Sequence, residues 1–255
     1  MSVLAALTVV RYTPGRAWRG ALHMVTQRPF LARLPGLKFS RLLGTGAGIG
    51  FSAVPDLRTW ALFSVWEDDA AWESFVNGSR VMRAYRRLGE ETYTVLLRPV
   101  SWHGRWAGRD PFGPAATDEA RLADAEPVAV LTRATLRPKR ARAFWSEVAP
   151  VDATLRESPD LLLSFGVGET PWIKQGTLSV WRSGASMKAW AYRTPEHAEV
   201  VRRTRDEGWY AEELFARFRL AGTKGTFRGR DPLAEAGVVG ADGAVLEPGR
   251  WVEAD

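Results

Sequence analysis

The residue of this chain best placed to do chemistry is His197, in the stretch YRTPEHAEVVRRTRDEGWYAEELFARF. Thr194 suits a helix N-cap, Pro195 suits the first helical position and Glu196 follows, so His197 falls in the first turn of a helix. Val200, Val201 and Thr204 lie three, four and seven residues on and share its face, while Glu199, Arg202 and Arg203 occupy the wetter one. The plain reading is a core histidine with one satisfied hydrogen bond. The chemical reading is a neutral imidazole aimed inward as the proximal ligand of a haem iron. Val200, Val201, Trp181, Trp190 and Phe215 would then be apolar walls, and Arg202, Arg203 and Arg205 would meet the propionates. An Arg run on a helix is also what an ordinary solvated face looks like.

Other chemistries are narrower. The chain has no cysteine, which excludes disulfides, thiolate nucleophiles, iron–sulfur clusters and a cysteine-ligated haem. Its three histidines, His23, His103 and His197, form no HExxH or HxH pattern. A zinc or two-His-carboxylate iron site would have to gather ligands from distant segments. The glycine-rich GTGAGIG at 44–50 contains GxGxG but follows the second strand of a repeat, with no acidic ribose ligand at the right distance, so it reads as a tight turn. There is no GxSxG elbow and no legible Ser-His-carboxylate set.

The elements that must position His197 come in two copies. GRWAGRDPF (104–112) returns as GTFRGRDPL (225–233), and ALFSVWEDDAAWESF (61–75) returns as GTLSVWRSGASMKAW (176–190). LLGTGAGIGF (42–51) parallels LLSFGVGETP (162–171), and VVRYTPGRAW (9–18) parallels RATLRPKRAR (133–142). The order is preserved and the offset drifts between about 115 and 124 residues, as small loop insertions produce. At the Ser-Val-Trp offset His197 aligns with Met82, and Thr194 with Ser79, so one copy carries the imidazole and the other an apolar group.

In the first copy, strands are expected at Val3–Tyr12, Leu37–Gly44, Thr59–Trp66 and Tyr93–Trp106. Helices are expected from Thr13–Pro14 to about Gln27, over Asp68–Val76 and over Ser79–Leu88. The second copy repeats this with strands at Val128–Leu136, Leu161–Gly168 and Thr177–Trp181, helices from Pro138, Ser183 and Thr194, and a closing segment to Phe227. Each half is a βαββαβ, ferredoxin-like arrangement, giving an α+β chain whose two halves form a dimeric α/β-barrel within one polypeptide. The expected division is residues 1–112 for the first repeat, 113–126 for a linker, 127–233 for the second repeat with the His197 helix, and 234–255 for a C-terminal appendage.

Composition sets the outer limits. The chain is 45% hydrophobic and 25% charged, a globular balance. Its twelve Trp fill cores or line apolar pockets. No run reaches the roughly 18 apolar residues of a membrane span, and MSVLAALTVVRYTPGR reads as a buried strand and not a signal peptide. The expectation is a cytoplasmic protein with room for peripheral membrane contact. A net charge of +6 invites nucleic acid, but the Arg residues are spread along the chain, largely interleaved with acids, and no nucleic-acid-binding motif is present, so no nucleic-acid partner is expected. An anionic lipid surface stays open, because Arg beside exposed Trp suits an interface.

RPFLARLPGLKFSRLLGTGAGIGFSAVPD, VWEDDAAWESF, YRTPEHAEVVRRTRDEGWYAEELFARF and GTFRGRDPL together resemble the spheroidene monooxygenase family over roughly residues 3–233. LFARF after the His helix is the most telling string. The resemblance implies a dimeric α/β-barrel relative that adds oxygen beside the end of an acyclic carotenoid chain, giving a keto group. It implies haem b iron, molecular oxygen as co-substrate, a small apolar substrate and a reduced ferredoxin or similar electron donor. It also implies His197 as the proximal ligand, as in related haem barrels such as aldoxime dehydratases, dye-decolourising peroxidases and chlorite dismutases. Distal residues would come from the second-half sheet, with Arg133, Gln175 and Ser179 as candidates. Two alternatives remain: a haem enzyme on a small N–O compound such as an aldoxime, and a cofactor-free barrel that binds an apolar ligand.

Overall fold

The computed structural model describes residues 3–47, 52–113, 122–249 and 251. Eight long strands are β1 (Leu4–Arg11), β2 (Leu37–Gly46), β3 (Pro55–Trp66), β4 (Glu91–Gly104), β5 (Val128–Leu136), β6 (Leu161–Thr170), β7 (Lys174–Trp181) and β8 (Tyr210–Gly225). They follow the order β1-β3-β2-β6-β7-β5-β8-β4 and close into a barrel. The helices are α1 (Trp18–Thr26), α2 (Arg28–Leu31), α3 (Asp69–Gly78), α4 (Arg80–Leu88), α5 (Ala141–Glu157), α6 (Gly184–Arg193), α7 (Pro195–Asp206) and α8 (Pro232–Glu235). This is the α+β, duplicated ferredoxin-like barrel that the repeat implies.

The chain divides into two compact units. The first comprises residues 1–45, 56–99 and 220–255, and the second residues 46–55 and 100–219. The spatial boundary thus cuts through β4 and β8: the end of each closing strand belongs to the unit of the other repeat. The stretch 234–251, outside the repeat, belongs to the first unit, where Trp251 Nε1 donates to the Thr92 carbonyl at 3.0 Å. Residues 48–51 of the glycine-rich loop and 114–121 of the linker lie outside the described residues. Among the described residues no helix is long and apolar enough to cross a membrane.

The duplication is written in matching hydrogen bonds. Trp66 Nε1 donates to Ser64 Oγ at 3.0 Å, and Trp181 Nε1 to Ser179 Oγ at 3.0 Å. Each Gly-Arg-Asp-Pro motif closes a two-residue hairpin whose corner residues have positive φ: Ala107 (53°) and Gly108 (72°), then Arg228 (57°) and Gly229 (80°). Two successive positive-φ residues are what a type I′ hairpin requires. A glutamate reads the corner amides in both. Glu212 accepts from Ala107 N at 2.8 Å and Gly108 N at 2.7 Å. Glu91 accepts from Arg228 N at 2.9 Å and Gly229 N at 2.5 Å.

Helix starts follow the caps. Asp68 accepts from Ala71 N, Ser79 from Met82 N and Ser183 from Ser186 N. The helix expected from Thr13 to about Gln27 opens as a 3-10 turn at Pro14–Arg16 and continues as α1 to Thr26; the short α2 follows it. Pro29 has no N–H to offer the carbonyl of Val25, so α1 ends before it.

Candidate functional site

In the second unit, a cavity of about 500 Å³ lies between one face of the sheet and the helices α6 and α7. Strand register decides which side chains floor it. Val130 of β5 pairs with Ser179 of β7 and Arg217 of β8, and Thr132 pairs with Thr177 and Phe215. Cross-strand partners share a face, so these rows point together toward the helices. Trp181 and Ser179 line the cavity from β7, Met187 and Trp190 from α6, and His197, Val200, Val201 and Arg205 from α7.

His197 is held from behind. Its Nδ1 lies 2.7 Å from the carbonyl oxygen of Ala191, and a carbonyl can only accept, so Nδ1 carries the proton. Nε2 of the neutral ring therefore keeps its lone pair and makes no hydrogen bond among the described residues. Burial holds the imidazole pKa below its usual 6.5, partly offset by the Ala191 carbonyl. Trp190 packs on the ring at 4.4 Å between centroids, and its own Nε1 is buried without a partner. Thr194 stands at the N-cap of α7 but its side chain makes no capping bond, unlike Ser79 on α4.

Comparison of the repeats explains the hollow. At the Ser-Val-Trp offset, Trp72, Met82 and Tyr85 of the first repeat correspond to Met187, His197 and Val200 of the second. In the first unit those three are buried with Trp66, Phe75 and Val81 in one core cluster. In the second, Met187 and Val200 are smaller than the Trp and Tyr they replace and leave the difference in volume open, and His197 takes the place of the fully buried Met82.

The candidates drawn from the sequence do not all reach this cavity. His197, Val200, Val201, Trp181 and Ser179 line it, although Ser179 Oγ already accepts from Trp181. Arg133 is not in the lining. It pairs with Gly176 and Leu214, one residue out of step with Thr132, and so projects from the opposite face of the sheet. There it is 2% exposed and bonded to Glu212, with Glu169 at 3.5 Å. Gln175 pairs with Ala134 on the correct face but beyond the lining, buried with neither amide atom partnered. Arg202 is exposed and tied to Glu199 at 2.5 Å and Asp206 at 2.8 Å. Arg203 is held by Glu147 and Glu207.

Arg205 and Arg217 are the guanidiniums on the cavity wall, and neither has a carboxylate partner among the described residues. Arg217, Glu213 and His103 are not among the sequence candidates, because residues 210–225 read only as a closing segment that supplies Phe215, and β4 only as a final strand. The alternation Glu213, Phe215, Arg217 against buried Leu214, Ala216 and Phe218 is the signal that marks their outward face. His103 stacks on Phe215 with centroids 5.0 Å apart, and Tyr210, whose phenol pKa burial pushes up to about 12, also lines the cavity. Among the described residues no group of three or more His, Asp or Glu is set to hold a metal ion. A haem needs only an axial ligand, an apolar slot and cations, and His197, the Trp181–Val200 wall and the Arg205–Arg217 pair fit that demand.

No protein-family model matches the chain. A spheroidene monooxygenase of Rhodobacter capsulatus is 37% identical over 91% of this chain and 95% of its own. The chain belongs to the spheroidene monooxygenase family. It is accordingly an oxidoreductase of the monooxygenase class. The family's Rubrivivax gelatinosus member is 35% identical over 89% of this chain and 86% of its own. The Cereibacter sphaeroides member is 36% identical over 80% of this chain, which spans 62% of that protein. Among solved structures, an aldoxime dehydratase superposes with a TM-score of 0.56 at 14% identity, covering 86% of this chain and 81% of its own. At that identity the likeness is one of fold.

Proposed function

We propose that this protein is a haem-dependent monooxygenase that oxygenates a carotenoid at the end of its chain, with His197 as the proximal iron ligand. The observation that carries the reading is the imidazole itself: Nδ1–H fixed on the Ala191 carbonyl, Nε2 free, and the ring facing a cavity of about 500 Å³. That volume lies within the roughly 300–1,000 Å³ typical of small-molecule and cofactor sites. The substrate class comes from the relatives named spheroidene monooxygenase.

When bound there, haem supplies the activation of molecular oxygen, with electrons from a ferredoxin-type donor. The chain's own residues do the rest. Burial keeps His197 neutral at physiological pH, so its lone pair is available. The Ala191 carbonyl orients the ring and raises its basicity, the usual service of a backbone acceptor to a metal-binding histidine. Arg205 and Arg217 on the cavity wall would hold the propionates of a bound haem. Trp181, Val200, Val201 and Phe215 exclude water and present an apolar surface to a polyene.

The test is an absorption spectrum of protein expressed with a haem precursor. A Soret band that shifts with dithionite and carbon monoxide in the wild type and is absent from folded His197→Ala supports the reading. His197→Ala purified with full haem occupancy overturns the ligand assignment.

A further inference from the structure

We propose that the face built from α1, α2 and α4 in the first unit docks onto an anionic lipid bilayer. α1 is apolar on its outer side. Trp18, Leu22 and Val25 recur at i, i+4 and i+7 and are 57%, 44% and 72% exposed. Phe30 on α2 adds a fourth large apolar side chain, 44% exposed. A helix of a globular domain normally turns such a stripe inward. Here the inward side of α1 is taken by Gly20, against whose Cα the Trp60 ring packs so closely that a methyl would meet it at 2.0 Å. His23, bonded to Tyr12 at 2.7 Å, completes that side.

The segment that carries the stripe has charge of one sign. Seven Lys or Arg and no Asp or Glu precede Asp56 in the chain. α4 adds a row, Arg80, Arg83 and Arg87, at i, i+3 and i+7. With Arg19 of α1 these line an open cleft of about 640 Å³. None of the four has a carboxylate partner among the described residues, and Arg19 Nε is buried without any acceptor. The contrast with the second repeat is direct. Arg202, which corresponds to Arg87, is tied by two carboxylates.

Exposed Trp, Leu, Val and Phe beside unneutralised guanidiniums match a helix lying in a bilayer interface, its apolar side chains among acyl chains and its cations on phosphates. A nucleic acid is the other polyanion, but it has no use for an aliphatic stripe. The proposal rests on the carotenoid reading only for its purpose, since a polyene dissolves in bilayer hydrocarbon and an enzyme that takes its end gains by sitting there.

Flotation of the full-length protein with vesicles of phosphatidylcholine, alone or mixed with phosphatidylglycerol, tests it. The wild type floats with the anionic vesicles and not with the neutral ones, and salt weakens the association. Arg80→Gln/Arg83→Gln/Arg87→Gln lowers the vesicle affinity on the order of a hundredfold. Trp18→Ser/Leu22→Ser/Val25→Ser lowers it on the order of tenfold or more. All six positions are exposed, so both variants keep the wild-type circular dichroism. His197→Ala floats like the wild type, so a failure of the haem reading leaves this result standing. Absence of flotation with anionic vesicles, unchanged affinity in either triple variant, or tighter binding to an RNA oligomer than to vesicles at the same salt overturns the proposal.

Discussion

Glu212→Ala and Glu91→Ala remove the same side chain from equivalent places in the two repeats, and the structure assigns them different losses. Both glutamates accept two backbone N–H groups at a hairpin corner. Only Glu212 also faces a buried arginine. Leu4 opposes Trp66 and Val128 opposes Trp181, which makes Val9 the counterpart of Arg133. Loss of the corner bonds alone, at a solvated turn, costs about 1–2 kcal/mol. Glu212→Ala also leaves Arg133, 2% exposed, with only Glu169 at 3.5 Å. Stripping one partner from a buried pair costs about 3–5 kcal/mol. Urea unfolding should therefore place Glu212→Ala below Glu91→Ala by about 2 kcal/mol, with little change in the slope of either curve. Arg133→Val in the Glu212→Ala background, which recreates the Val9 arrangement, should recover part of the loss. Equal destabilisation of the two single variants, or no recovery in the double, would refute the reasoning.

Burial lowers the His197 pKa below 6.5, so the folded state holds fewer protons than the unfolded one. The stabilisation is intact above pH 6.5 and is lost as the pH falls from there toward the lower folded value. Thermal melts of the haem-free protein should show this loss in the wild type and a smaller one in His197→Gln. Gly104 has φ of 92°, and a methyl there would meet the Glu213 carbonyl oxygen at 2.1 Å, so Gly104→Ala should cost about 2 kcal/mol or more in denaturant unfolding. Arg205→Ala and Arg217→Ala should each weaken haem affinity on the order of tenfold or more, the loss of a charge-assisted hydrogen bond. Arg202→Ala should leave it unchanged, because exposed ion pairs of its kind contribute about 0–1 kcal/mol. Haem titrations of the three variants make that comparison.

The barrel was legible because the duplication is. Ser-Val-Trp and Gly-Arg-Asp-Pro each return in order, and both make the same bonds in the structure. The face of α7 was legible because a period of 3.6 separates His197, Val200 and Val201 from Arg202. The second-half sheet was not read at the same level. The resemblance offers Arg133 as a distal candidate, whereas its place on β5 is one residue out of step with Thr132, and a period of two sends it to the far side. Arg217 and Glu213 were hidden because a strand's outward residues gain meaning only when a helix pair roofs them. The hollow itself was open to inspection, since Trp72 and Tyr85 set against Met187 and Val200 show where volume is missing. The start of the first helix shows the limit of a periodic pattern, for the turn that Pro14 opens is 3-10 and the α-helix begins only at Trp18.

The most direct test of the central claim is isotope incorporation. Haem-loaded protein is given an acyclic carotenoid, a reduced ferredoxin-type donor and ¹⁸O₂, and the product is examined by mass spectrometry. The account predicts ¹⁸O in the terminal segment of the polyene with the wild type, and none with folded His197→Ala. Unlabelled product from haem-loaded wild type, or labelled product at the wild-type rate from His197→Ala, would contradict it.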